Sequence, residues 1–361
     1  MPANPRVSYF VSAHGYGHAT RAAAVINALQ EIVPDAEVQV LTKAPRILFD
    51  ETVARSISYL ENEADLGIAQ KTPLREDLVK TLRNIKAFLP FDGKRIHHLT
   101  DCLREFGTDV VVCDIAPIGI VAAKLAGVPS VLVENFTWDW IFEGFAEAKP
   151  EFRVHVSYLD TIFSAADFRI RATPACTNRS GDLIVRPIGR RAVRAPSDIR
   201  RALGIEPPAK MVLVTLGGTE YEWSPKRELM DYPNVVFVVP SFCKAVTRVD
   251  NTIRLPFDSE FYHPDLVNAA DVVIAKLGYS TVAEVYYAGV PIGYVPRPTF
   301  RESAALERFV HSNMPSLPIG MDVFERHGWA SQLSRLLGFE RSGKASGDGA
   351  RAVAEFIREI S

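Results

Sequence analysis

The chain has 361 residues, 47% hydrophobic and 23% charged, with 41 Lys and Arg against 43 Asp and Glu for a net charge of −2. At roughly 100–200 residues per domain this length suits two domains, and a mean hydropathy of +0.04 excludes a disordered or collagen-like chain. The even charge balance lacks the basic surplus of a dedicated nucleic-acid binder, so a small-molecule partner is expected.

The opening residues carry too short an apolar run for a signal sequence. The longest apolar stretch, 110–133, is interrupted by Asp114, Lys124 and two prolines, so no transmembrane segment is expected. Cys102, Cys113, Cys176 and Cys243 stand far apart in no paired spacing and read as reduced thiols. Together these features predict a cytoplasmic protein.

Short β-rich runs alternate with helical patterns twice over, the signature of parallel βαβ sheets in an α/β protein. In the first half, residues 6–12, 37–42, 56–60, 109–114, 130–134 and 168–171 read as strands. Residues 22–33 place Ala22, Val25, Ile26, Leu29, Ile32 and Val33 on one helical stripe ended by Pro34, and 118–126 form a second helix closed by Gly127. Residues 195–208, with several prolines, read as the hinge, and the arginines at 186–201 as its solvated face. The second half predicts strands at 211–216, 235–239, 253–255, 271–275 and 292–295, and helices at 281–287 and 302–311. A loop at 341–349 precedes a final helix, 350–360. The expected division is 1–195, a linker at 196–208, a second domain at 209–340, and a tail, 341–361, able to pack back on the first domain.

The densest chemistry lies in HGYGHATR, residues 14–21, between the first strand and the first helix. Ligands of open α/β sheets bind beyond the carboxyl ends of the strands, and glycines such as Gly15 and Gly17 let the backbone approach them there. A dinucleotide fingerprint would want a third glycine and an acidic end to strand two, where this chain has Ala19 and Thr42-Lys43. Nicotinamide binding is therefore not expected. Imidazole titrates near neutrality, which makes His18 a candidate general base. Asp114, ending VVVCD, would orient and stabilise it if the two strands are neighbours. His14 is the competing base, and the plain structural alternative is that His18 and Asp114 only cap their helices.

A second signal, KLGYSTVAEVYYAGVPIGYVP at 276–296, again runs from a strand into a helix. Gly278, Tyr279, Ser280 and Thr281 would present backbone N–H groups and the positive helix end to a diphosphate, and Glu284 would accept from ribose hydroxyls. Alternatively Thr281 and Glu284 form a capping box. Gly217-Gly218, after the first strand of the second half, is a further candidate phosphate turn.

With these motifs in order, the chain resembles the GT-B glycosyltransferases, two Rossmann-like domains facing across a cleft. GHATR is similar to their N-terminal glycine and histidine loop, and EVYYAGVP to the donor-binding Glu-x4-Gly-x-Pro pattern. The likeness extends, through DIAPIGIVAAKLAGVPSV, NFTWDWIFEGF, HPDLVNAADVVIAKLGYSTVAE and RESAALERF, to the glycosyltransferase-like N-terminal half of plant L-arabinokinase. The kinase half has no counterpart in this sequence, so sugar-kinase activity is not implied. The resemblance implies a nucleotide-diphosphate-sugar donor, most simply UDP-linked, bound by the C-terminal domain, and a hydroxyl acceptor bound by the N-terminal one. It implies His18 as the base supported by Asp114, with His14, Gly15, Gly17, Arg21, Trp138 and Asp139 toward the substrates and Arg301 and Glu302 reading donor hydroxyls. No Asp-x-Asp pair stands at a strand end, so the expected reaction is metal-independent, cofactor-free and inverting. Hydrolysis of a nucleotide sugar, and a non-catalytic nucleotide-sugar-binding module, are the alternatives.

Overall fold

The computed structural model describes residues 4–217, 227–326, 328–343 and 345–361. Two compact units divide the chain: Met1–Gln70, Glu76–Gly189 and Gly347–Ser361 make the first, and Lys71–Arg75 with Arg190–Ser346 the second.

The first unit is built on β1 (Arg6–Val11), β2 (Glu37–Thr42) and β3 (Ser58–Glu61), followed after a small hairpin of β4 (Gln70–Thr72) and β5 (Arg75–Glu76) by β6 (Val110–Asp114), β7 (Ser130–Glu134), β8 (Phe168–Ala172) and β9 (Leu183–Val185). The main strands form one parallel sheet in the order β3-β2-β1-β6-β7-β8-β9. Every residue of β6 and β7 is buried, as a strand covered by helices on both faces requires; this is why their sequence is a continuous apolar run rather than an alternating one. Strand order reverses at β1, whose neighbours are β2 on one side and β6 on the other, with Val11 in register with Asp114. Such a reversal leaves a crevice at the carboxyl ends of the two central strands.

The second unit repeats the plan. Strands β10 (Lys210–Thr215), β11 (Val235–Ser241), β12 (Thr247–Val249), β13 (Thr252–Pro256), β14 (Val272–Lys276), β15 (Ile292–Val295) and β16 (Ser316–Pro318) lie in the order β12-β13-β11-β10-β14-β15-β16. Only β12 is antiparallel to its neighbour. Here the reversal falls between β10 and β14, with Thr215 beside Ala275. Phe237, Phe324, Trp329 and Leu336 centre the core of this unit, joined by Leu74 from the 71–75 segment.

Several sequence expectations change. The unit boundary falls between Gly189 and Arg190, whereas residues 196–208, expected as a hinge, contain the helix Pro196–Ala202 packed on His263–Ala269. The arginines of this region divide: Arg186, Arg194 and Arg201 are exposed as expected, whereas Arg190, Arg191 and Arg200 are wholly or partly buried. Arg200 bonds Asp271 Oδ2 at 2.6 Å and Ala269 O at 2.7 Å, and Arg191 lies 3.3 Å over the ring of Tyr287. No such change concerns the terminal helix, Gly349–Ile360, which joins the first unit, the domain onto which the tail was expected to pack, and lies along the helix Gly17–Ile32. Residues 138–145, given no element in the sequence reading, form a helix with Trp138, Ile141, Phe142 and Phe145 buried. Among the described residues no helix is long and apolar enough to cross a membrane.

Candidate active site

Because β1 and β6 are adjacent, the turn after β1 and the end of β6 converge. His18 is the second residue of the helix Gly17–Ile32, and its Nδ1 lies 2.7 Å from Asp114 Oδ1. Asp114 is fully buried. Arg21, one helical turn beyond His18, approaches the same carboxylate with Nε at 2.7 Å from Oδ2 and Nη2 at 2.6 Å from Oδ1. Its Nη1 donates to Asn135 Oδ1, 2.7 Å away at the end of β7. Burial alone would raise the Asp114 pKa, but the Arg21 guanidinium and the His18 bond hold it below the ordinary carboxylate value. An ionised Asp114 accepts only, so Nδ1 of His18 carries the proton. The imidazole Nε2 makes no hydrogen bond to any described residue, and the side chain keeps 10% exposure. A ring so oriented can take a proton at Nε2 while Asp114 stabilises the imidazolium that forms.

Ile115, directly after Asp114, has φ of 45°, a left-handed backbone that a β-branched residue adopts at a cost of about 1–3 kcal/mol. His14 is placed differently from His18. Its Nδ1 accepts from Ile68 N at 3.2 Å, which puts the proton of the neutral ring on Nε2 and makes that nitrogen a donor rather than a base. Gly15 has φ of 63° and Gly17 is the first residue of the helix. Arg21, expected to face substrate, is 1% exposed and behind the imidazole. Trp138 is likewise buried, packed edge-on to His14 at 5.2 Å and tilted against His18 at 6.4 Å. Asp139 is 2% exposed and pairs with Arg179 at 2.7 Å.

At the β10/β14 reversal of the second unit the chain brings together Gly217, Lys276 and the helix Tyr279–Ala288. Gly217 has φ of 71°, a turn that disfavours any side chain, and a Cβ there would stand 3.9 Å from the Lys276 ammonium. Gly278 caps the helix start, and the first intrahelical bond runs from Val282 N to Gly278 O. Tyr279 is buried, while Ser280 and Thr281 are partly exposed. Gly218 lies outside the described residues. Thr281 sits inside the helix rather than at its cap, so no capping box forms. Glu284 Oε1 accepts from Arg190 Nε at 2.8 Å, and Oε2 lies 2.7 Å from His263 Nδ1. The far nitrogen of His263 is 3.3 Å from Thr215 Oγ1. Arg301 is exposed, whereas Glu302 is buried 3.9 Å from Arg297 at the start of the helix Ser303–Asn313.

Burial pushes the Glu284 carboxyl up, yet Arg190 and then His263 bring it down to about 2 from an ordinary 4.5. A depressed folded-state pKa adds stability above the unfolded value that is lost as pH falls through the folded one. Wild type should therefore lose stability relative to Glu284→Gln between about pH 4.5 and pH 2. Urea midpoints measured across that range check this; parallel curves for the two proteins would show that the ion pairs add nothing.

Sequence reasoning gave no site role to His263, Lys276, Asn135 or Asp65, and read Arg190 as part of a solvated face. Lys276 opened the quoted motif and carried a readable signal, a cation at a strand end before a helix. The others have no local pattern, since each is defined by a partner more than 20 residues away.

The two parallel-sheet units have the paired Rossmann-like plan of the GT-B fold. Residues 5–158, less than half of the chain, match the model of the family described as glycosyl transferase family 1. Solved structures of the same fold include Arabidopsis thaliana UGT89C1 complexed with quercetin, 13% identical, with 99% of each chain covered and a TM-score of 0.62. Another is the spinosyn forosaminyltransferase SpnP, 17% identical over 99% of this chain and 94% of that one, with a TM-score of 0.59. In sequence the chain is similar to L-arabinokinase of Arabidopsis thaliana, 27% identical over 98% of this chain but spanning only 34% of that protein.

Proposed function

We propose that the protein transfers a sugar from a nucleotide diphosphate donor, most simply UDP-linked, to a hydroxyl acceptor, without metal and with inversion. The observation that carries this reading is the His18–Asp114 contact of 2.7 Å with Nε2 open. In the proposed step Nε2 takes the acceptor proton as its oxygen attacks the anomeric carbon. The bond from that carbon to the diphosphate oxygen breaks, and its electron pair leaves with the nucleoside diphosphate. Asp114 holds the ring in the productive tautomer, and Arg21 acts behind it, keeping Asp114 ionised, rather than on substrate. Lys276, the Gly217 turn and the start of the helix Tyr279–Ala288 suit the charge that develops on the leaving diphosphate. The Glu284 carboxylate, held by Arg190 and His263, anchors that cluster and would meet a ribose only through the groups around it.

Incubation of the protein with a panel of nucleotide sugars and hydroxyl acceptors, followed by product analysis, tests the reaction. A glycosylated acceptor of inverted anomeric configuration is the expected product. Free sugar released at full speed without acceptor would establish hydrolysis instead, and no turnover with any donor would leave a binding module. For the donor side, UDP at about 100 times its dissociation constant should stabilise the second unit by about 2.7 kcal/mol. Lys276→Ala should lose most of that gain in a thermal-shift titration; an undiminished shift would remove Lys276 from the phosphate site.

A further inference from the structure

Arg21 is held from two strands. Its Nε and Nη2 reach Asp114 at the end of β6, while Nη1 donates at 2.7 Å to Oδ1 of Asn135, directly after β7. The strands β6 and β7 are neighbours in the first-unit sheet, so the two acceptors stand at adjacent strand ends. A guanidinium only donates, which fixes the facing atom of the Asn135 amide as its oxygen. Asn135 and Arg21 are each 1% exposed, and Asp114 is fully buried. The backbone of Asn135 is pinned as well, its carbonyl accepting from Cys176 N at 2.7 Å. The next residue, Phe136, packs edge-on to the His18 ring at 5.8 Å.

The charges of this buried group balance. Asp114, 2.7 Å from His18 Nδ1, favours an imidazolium, whereas Arg21, whose Nη2 lies 3.2 Å from the same nitrogen, opposes it. Asn135 gives the guanidinium an acceptor and adds no charge. A carboxylate in its place would leave one excess negative charge away from water, and the adjoining imidazole would cancel it by keeping a proton. A ring that is protonated at both nitrogens is a donor only and cannot serve as a base.

Resting on the transferase reading, we propose that Asn135 is a positioning residue for His18 that acts through Arg21: a neutral acceptor that fixes the guanidinium behind Asp114 and leaves the imidazole unprotonated at rest. Around the His18–Asp114 pair the other titratable groups are Asp65 in the loop after β3, Tyr9 of β1 and Cys113 of β6, with His14 beyond Trp138. Burial pushes the Tyr9 hydroxyl and the Cys113 thiol up, so both stay neutral near pH 7. Asp65, raised by burial to about 6, titrates in the same range as an imidazole, but it is common to wild type and to every variant at position 135.

NMR titration of the histidine rings in the full chain, with the His18 signal identified by its loss in His18→Ala, tests the charge role without need of turnover. Asn135→Asp should raise the pH at which the His18 ring titrates by about one pH unit relative to wild type. Where transfer is measured, the acid limb of its kcat profile should move up by the same amount, with the rate at alkaline pH retained. Asn135→Leu removes the acceptor and adds no charge. Its His18 ring should titrate close to wild type, while kcat falls by about 10- to 10²-fold with KM for donor and acceptor unchanged. Its Arg21 Nε–H should also exchange with solvent at least about tenfold faster, a readout that needs no activity. Circular dichroism checks each fold, and if Asn135→Asp does not fold, Asn135→Leu decides. An unshifted His18 titration in folded Asn135→Asp, or wild-type kcat and Arg21 exchange in Asn135→Leu, would overturn the proposal. If the ring titration and the exchange change as stated in a protein that transfers no sugar to any acceptor, the role of Asn135 toward His18 holds and the transferase reading fails. Transfer by a protein in which neither changes sinks this inference alone.

Discussion

Replacing His18 by alanine is expected to lower the rate of sugar transfer by about 10²- to 10⁴-fold, the usual contribution of a positioned general base. The loss should appear in kcat, with donor affinity unchanged, because the groups proposed to face the diphosphate belong to the second unit. His18→Ala removes a ring that is 90% buried on Asp114, so a folding control is needed. Asp114→Asn gives a second handle. It keeps the shape but turns an obligatory acceptor into a group that can also donate, so the imidazole loses the partner that fixes Nδ1–H. A similar loss is expected there. If His18→Ala retained wild-type turnover while His14→Ala did not, the assignment of the base would pass to the residue whose Nδ1 is held by Ile68 N.

Arg21→Met is expected to cost about 3–5 kcal/mol of stability, because it strips the guanidinium from a carboxylate that is fully buried. Leaving a buried charge unpaired is more damaging than never having had the pair. For that reason Arg21→Met combined with Asp114→Asn should recover at least half of the loss, even though activity is gone. Urea unfolding of the single and double variants measures both effects. A variant of wild-type stability whose only defect is a raised KM for acceptor would return Arg21 to the substrate-contacting role that its position in GHATR suggested.

The parallel sheets were legible because the runs that form them are compositionally unlike their surroundings. VVVCD and SVLVE are apolar without alternation, as strands buried on both faces must be. The positions of His18 and Asp114 at strand ends were equally legible, since a turn between strand and helix is a local feature. The hinge was not. RPIGRRAVRAPSDIRR contains helix-breaking prolines and many arginines, yet Pro196 stands at the first turn of a helix, where its missing N–H costs nothing. The arginines found carboxylates and ring faces that no local window contains. Asp139 misled in the same way, since a carboxylate beside two tryptophans gives no sign of Arg179, 40 residues on.

By itself the sequence determined that this chain makes two parallel α/β sheets, and that a histidine and an aspartate stand at the carboxyl ends of two first-unit strands. Those properties follow from periodicity and punctuation within a dozen residues. Only the tertiary structure decided that β1 and β6 are neighbours, so that His18 meets Asp114, that Arg21 lies behind them, that Glu284 is held by Arg190 and His263, and that Asn135 accepts from Arg21. Hydrogen bonds and charge pairs act over about 3 Å in space, and strand order, which no local window encodes, brings residues 96 positions apart to that distance.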